Sequence, residues 1–200
     1  GSCRFIAGAL GGMMTPTVTE HTFQEANRIG QALAQAGLEK IKNEPFETAP
    51  CFTFLRREYE IPLQSLLLEQ AIQGGLLSGV LARDNRIQTE TSLLRIGPAW
   101  LGLVPGELLP ALGLEIKRRM RLAGAKITAI IGLANDELGY ILPDEEYNYP
   151  TDPFTPGDHY EETMSVGPTA GSTLLSSLTA LIQEMSKIDL EQHASTLNQE

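Results

Sequence analysis

The chain has 200 residues, 42% of them hydrophobic and 20% charged, the make-up of an ordinary globular domain able to bury a sizeable core. A net charge of −10 argues against a nucleic-acid partner, because phosphates attract Lys and Arg rather than Asp and Glu. No apolar run approaches the roughly 20 residues that span a bilayer. Gly1-Ser2 reads as a cloning scar, so the compartment stays open. Two cysteines, Cys3 and Cys51, permit one disulfide and require none.

In chain order, Cys3 to Leu10 is a short apolar run ending in glycines, which predicts a buried strand feeding a Gly-rich loop from Gly8 to Pro16. Thr19 offers an N-cap for a helix to about Ile41, with Phe23, Ala26, Ile29, Leu33 and Leu38 near helical spacing. Cys51 to Ile61 alternates loosely and predicts a half-exposed strand. Ser65 to Leu77 predicts a short helix closed by glycines. Arg86 to Leu94 and Ile96 to Val104 read as two strands, the second more buried. Pro105-Gly106 breaks that strand, and Glu107 is expected to open a helix to about Leu122. Lys117, Arg118, Arg119 and Arg121 suit the negative end of that helix dipole. Ala125 to Leu133 has the composition of a central strand. Thr173 to Ile188 is a clear amphipath, with Leu174, Leu178, Leu181, Met185 and Ile188 on one stripe. The tail beyond Leu190 is polar and is expected to fray. Strands alternating with helices predict an α/β fold, a mixed β-sheet flanked by helices.

In such folds ligands collect beyond the carboxyl ends of the strands. Three loops leave strands in that way: Gly11 to Pro16, Pro105 to Glu107, and Ala134 to Tyr140. Each has a plain structural reading. Pro105-Gly106-Glu107 is a strand break with a carboxylate suited to a helix start, and Tyr140 reads as a packing residue with a bonded hydroxyl. The acidic stretch from Asp136 to Glu162 reads first as a solvated loop and only second as a cation site.

The ordered set of short blocks is more specific. Gly132-Leu133-Ala134-Asn135, then Tyr140-Ile141, then Glu145-Glu146-Tyr147 resembles the signature of neutral ceramidases. Pro105-Gly106-Glu107 resembles that family's Pro-Gly-Glu turn, and Tyr160-Glu161 followed by Gly167-Pro168 resembles a later segment of it. The likeness covers residues 100 to 185 well and residues 5 to 35 more loosely. It implies that residues 1–190 are the C-terminal portion of a larger catalytic domain, with 191–200 as a polar tail. It implies a zinc-dependent hydrolase of an N-acyl bond in a lipid-like substrate. Glu107 and Tyr140 would be metal ligands, hard oxygen donors that Zn²⁺ accepts when imidazoles complete its sphere. It also implies a missing N-terminal half as partner and peripheral membrane contact, since members are often secreted or membrane-associated.

The sequence departs from the family in three places. Both family histidines belong to a region upstream of the Gly-rich loop, so this fragment alone is expected to be metal-free and inactive; His21, His159 and His193 are poor substitutes. The family's Gly-Asp-x-Ser-Pro loop stands here as Gly11-Gly12-Met13-Met14-Thr15-Pro16. Alignment on the proline makes Thr15 the catalytic hydroxyl, while alignment on the glycines puts Met14 there. Gly11, Gly12 and Met14 are then substrate-binding candidates. Extra residues from about Pro150 to Gly157 are expected to reshape the pocket mouth. Two other readings remain open: a non-catalytic lipid- or glycan-binding relative, and a hydrolase of an ester or non-lipid amide.

Overall fold

The computed structural model describes residues 5–45, 48–77 and 82–197. Cys3 and the start of the first expected strand lie outside them. The chain forms two compact units, Met13–Pro50 and the remainder, Gly1–Gly12 with Cys51–Glu200. The smaller unit holds helix α1 (Phe23–Ile41). Its N-cap is Thr22, not Thr19: the Thr22 hydroxyl accepts the Glu25 N–H at 3.2 Å. Thr22-x-x-Glu25 has capping-box spacing, which outweighs an earlier lone threonine. Glu25 also pairs with Arg28 at 2.7 Å.

The larger unit is mixed α/β. Its strands are β1 (Phe52–Pro62), β2 (Ala82–Arg83), β3 (Arg86–Ile96), β4 (Ala99–Leu103), β5 (Glu107–Leu108), β6 (Ile127–Ile131) and β7 (Tyr140–Ile141). Its helices are α2 (Leu66–Gln73), α3 (Pro110–Leu122), α4 (Tyr160–Thr163) and α5 (Ala170–Leu197). The main sheet runs β1-β3-β4-β6, with β2 beside β3, and β5 pairs with β7 in a separate ribbon. β1, β3 and β4 are antiparallel neighbours, while β6 lies parallel to β4. That parallel pair is what α3 connects, the usual role of a crossover helix.

Four expectations change. The segment from Phe5 to Leu10 forms no ladder; it meets the loop after β6 through Gly132 N–H to Ala7 O at 3.0 Å. Alanine and glycine at positions 7 to 9 are weak strand formers. β6 stands at the end of the strand order rather than its centre, because an apolar strand records burial of its faces, not its lateral place. Glu107 lies in a strand, and α3 begins at Pro110, a residue preorganised for the first helical position. α5 continues past Leu190 to Leu197.

The helix-facing side of the sheet is the core. Leu93 and Trp100 pack with Ile116 and Met120 of α3 and with Leu174, Leu178, Leu181 and Met185 of α5, all of them buried. The α5 stripe is therefore the one its spacing predicts, with Ile188 half-buried at its end. The opposite side of the sheet is also apolar, yet Phe52, Phe54, Ile96 and Ile127 on it are exposed, at 67%, 50%, 40% and 59%. Register puts them on one face: Phe52 pairs with Ile96, Ile96 with Ala99, and Ala99 with Ile127.

These two faces predict opposite mutational behaviour in urea unfolding. Leu178→Ala is expected to cost about 2–5 kcal/mol, as a fully buried leucine does. Phe52→Ser is expected to cost under about 1 kcal/mol while lowering binding of an apolar dye. Equal costs at the two positions would contradict this account of the core.

Candidate metal and hydrolase site

The site lies at the carboxyl ends of β4 and β6, where two loops leave neighbouring parallel strands. Residues 104–106 follow β4 and residues 132–139 follow β6. Backbone bonds lace them together: Ala134 N–H to Val104 O at 2.9 Å, Leu138 N–H to Pro105 O at 2.9 Å, and Leu133 N–H to Gly106 O at 3.2 Å. Each loop then enters the short parallel ribbon, where Glu107 stands opposite Tyr140 and Leu108 opposite Ile141. Alternation sends the two pairs to opposite sides. Leu108 and Ile141 are completely buried, and the other side presents a carboxylate beside a phenol. The Glu107 carboxylate acts on the Tyr140 phenol and favours its protonated form.

Gly139 makes this geometry possible. It accepts the Glu107 N–H at 2.9 Å, while the next residue, Tyr140, gives its own N–H to Met164 O at 3.1 Å. Gly139 has φ +74°, and a Cβ there would fall 1.9 Å from Met164 O. Any side chain would break the clamp that seats Tyr140.

Glu107 and Tyr140 open onto a cleft of about 340 Å³. Its other polar residues are Glu137 and Tyr160, and its walls are Leu68 and Ile72 of α2 with Leu77, Ile87, Leu138, Met164 and Val166. Tyr160, from the block Tyr160-Glu161, meets Tyr140 edge-on with ring centroids 5.8 Å apart. Burial first, then the Glu107 carboxylate, pushes the Tyr140 phenol up to about 12. Tyr140 is therefore a neutral donor at physiological pH. Glu137 is exposed, but partial desolvation at the cleft rim raises its carboxyl, with Glu107 adding to the shift and the Gly139 N–H opposing it.

The other residues singled out in the sequence fall as follows. Gly11 joins the ribbon: its N–H donates to Leu108 O at 2.9 Å, and a Cβ there would lie 2.5 Å from Glu107 O. Gly12 follows it and is exposed. Met14 and Thr15 belong to the Met13–Pro50 unit, and both are exposed. His159 is held by the buried carboxylate of Glu162, 3.0 Å from Nδ1, and does not line the cleft. Among the described residues no group of three or more His, Cys, Asp and Glu is placed to hold a metal ion. Two oxygen donors side by side fit half of a four-coordinate zinc sphere.

Sequence reasoning missed Glu137 and the α2 wall. Glu137 sits between the matched residues Asn135 and Tyr140, inside the acidic stretch read as a solvated loop. Its place in an ordered turn between two signature residues was the available signal.

A tyrosine whose folded value lies above its unfolded one contributes stability that is complete below pH 10 and lost as the pH rises through its folded value. Tyrosine absorbance should lose one of two ionisations near pH 12 in Tyr140→Phe, the other belonging to Tyr147, and Glu107→Gln should lower the one that Tyr140→Phe removes. An unchanged value in Glu107→Gln would contradict the contact between the two side chains.

No family model and no curated protein matches the chain. Among solved structures it is similar to neutral ceramidase from Pseudomonas aeruginosa, at 21% identity and a TM-score of 0.43, over 50% of this chain and 16% of that one. It is also similar to a ceramidase complexed with C2, at 21% identity and a TM-score of 0.41, over 57% of this chain and 21% of that one. The chain thus matches about a sixth to a fifth of the length of these proteins, and each likeness is one of fold over part of the chain.

Proposed function

We propose that this chain is part of a zinc-dependent hydrolase that cleaves an N-acyl bond of a lipid-like substrate. One observation carries the reading: the β5–β7 ribbon sets Glu107 directly beside Tyr140 at the wall of an apolar cleft. These are the two residues that the sequence motifs single out as ligands. The carboxylate and the phenol would supply two oxygen donors, and two histidines from an upstream part of the chain would complete the sphere. A bound zinc ion lowers the pKa of water and polarises an acyl carbonyl. Tyr140 would give up its proton when the metal binds, since an adjacent cation favours the charged form.

The chain's own residues then have defined tasks. Leu68, Ile72 and Met164 offer an acyl or alkyl group a dry surface. Gly11 lets its loop approach the ribbon closely, while Gly12, Met14 and Thr15 keep only the substrate-binding and hydroxyl roles that the motif implies. The open apolar face of the sheet also has a role in this reading, as the surface that the rest of the catalytic domain covers.

Zinc titration by calorimetry of the full-length protein tests the proposal. Glu107→Gln and Tyr140→Phe are each expected to weaken zinc binding at least about tenfold and to lower kcat/KM for an N-acyl p-nitroanilide. Zinc affinity unchanged in both variants would overturn it. Tight zinc binding without turnover of any amide would favour a non-catalytic binding protein.

A further inference from the structure

Glu162, on the short helix α4, is a carboxylate only 6% exposed, and the hydrolase reading gives it no task. Its partner is His159, whose Nδ1 lies 3.0 Å from Oε1; among the described residues no other side chain bonds that carboxylate. An ionised carboxylate only accepts hydrogen bonds, so His159 must carry a hydrogen on Nδ1. Without that donor the carboxylate would be buried and unpaired, which a folded chain strongly disfavours. The pair therefore pins the His159 side chain to the interior. His159 stands between two segments. Before it come the extra residues from Pro150 to Gly157, and its N–H donates to Pro156 O at 3.1 Å. After it comes α4, a single turn too short to hold its own shape. The far end of that turn is tied down by the Tyr147 hydroxyl, which donates to Glu162 O at 3.3 Å, and by Met164 O, which accepts the Tyr140 N–H at 3.1 Å. At the near end is Tyr160, the α4 residue that lines the cleft and meets Tyr140 edge-on. There the His159–Glu162 bond is what ties side chain to side chain across the turn.

We propose that Glu162 and His159 are positioning residues of the cleft, whose bond holds the start of α4 so that Tyr160 stands against Tyr140. Their bearing on turnover rests on the hydrolase reading above; their bearing on Tyr160 does not. The edge-on contact of two rings depends on their mutual placement, so a turn that swings free withdraws Tyr160 from Tyr140. Misplacement of a positioned group by about 1 Å can cost on the order of a hundredfold in rate. The same bond joins the extra residues to the cleft, because His159 belongs to both.

The test uses the full-length protein with labelled tyrosine, read by NMR, with Zn²⁺ as the binding probe and an N-acyl p-nitroanilide as the substrate. The Tyr140 ring signals are identified by their loss in Tyr140→Phe, and their positions without the neighbouring ring by Tyr160→Leu. His159→Ala and Glu162→Leu are each expected to move the Tyr140 signals most of the way to the Tyr160→Leu positions. Each should also lower kcat at least about tenfold while zinc affinity stays within about threefold of wild type. Glu162→Gln, which keeps an oxygen for the Nδ1 hydrogen, should bring the signals back toward wild type; a role in packing alone would not need that oxygen. Tyr140 signals unmoved in folded His159→Ala or Glu162→Leu protein would overturn the proposal. So would a loss of zinc affinity in His159→Ala matching that of Glu107→Gln, which would make His159 a ligand. If His159→Ala fails to fold, Glu162→Leu, which leaves no buried charge behind, decides on the same signals. A wild-type protein that neither binds zinc nor hydrolyses the substrate would fail the parent reading alone, because the ring signals report the place of Tyr160 without metal or turnover.

Discussion

Two residues of parallel ladder tie the loops after β4 and β6 into one object, and the cleft depends on them. Leu108 and Ile141 anchor the ribbon on its inner side, each contributing about 1.5–3 kcal/mol by burial. Glu107 and Tyr140 share its outer side. The loops cannot drift apart without losing the backbone bonds from Glu107 N–H to Gly139 O and from Leu109 N–H to Ile141 O. A carboxylate and a phenol brought together on a rigid backbone meet the general need of a site for preorganised groups. Glycine appears wherever another strand of backbone must pass close, at Gly139 against Met164 and at Gly11 against Glu107.

The sheet behind this site has unequal faces. One carries α3 and α5 and forms a dry core around Trp100, Ile116 and Leu178. The other carries phenylalanine and isoleucine in register and leaves several of them exposed. The cleft shares this apolar character, but acid groups interrupt it: Glu107 and Glu137 face the same space without a cation among the described residues. Such an arrangement keeps Tyr140 protonated and raises Glu137, so the cleft favours a cation in its own interior.

Much of the fold was legible because periodicity records burial. The α5 stripe, the strands β1 and β3, and the short helix that follows Ser65 stand where spacing and turn chemistry put them. What escaped was set by contacts distant in sequence. Two residues at 107–108 have no strand signature of their own; they become a strand because Tyr140-Ile141 lies beside them. β6 reads as central because both of its faces are apolar, although it ends the strand order. At the site, motif blocks picked out Glu107 and Tyr140, and tertiary structure makes them neighbours. Glu137 is exposed, as the acidic stretch reads, and only tertiary structure shows that it also borders the cleft.

Anomalous diffraction at the zinc edge, from crystals of the full-length protein, tests the central claim most directly. The account predicts a peak in the cleft with one Glu107 carboxylate oxygen and the Tyr140 phenolic oxygen each about 2.0–2.2 Å away. A zinc ion bound elsewhere, with neither Glu107 nor Tyr140 among its ligands, would contradict it.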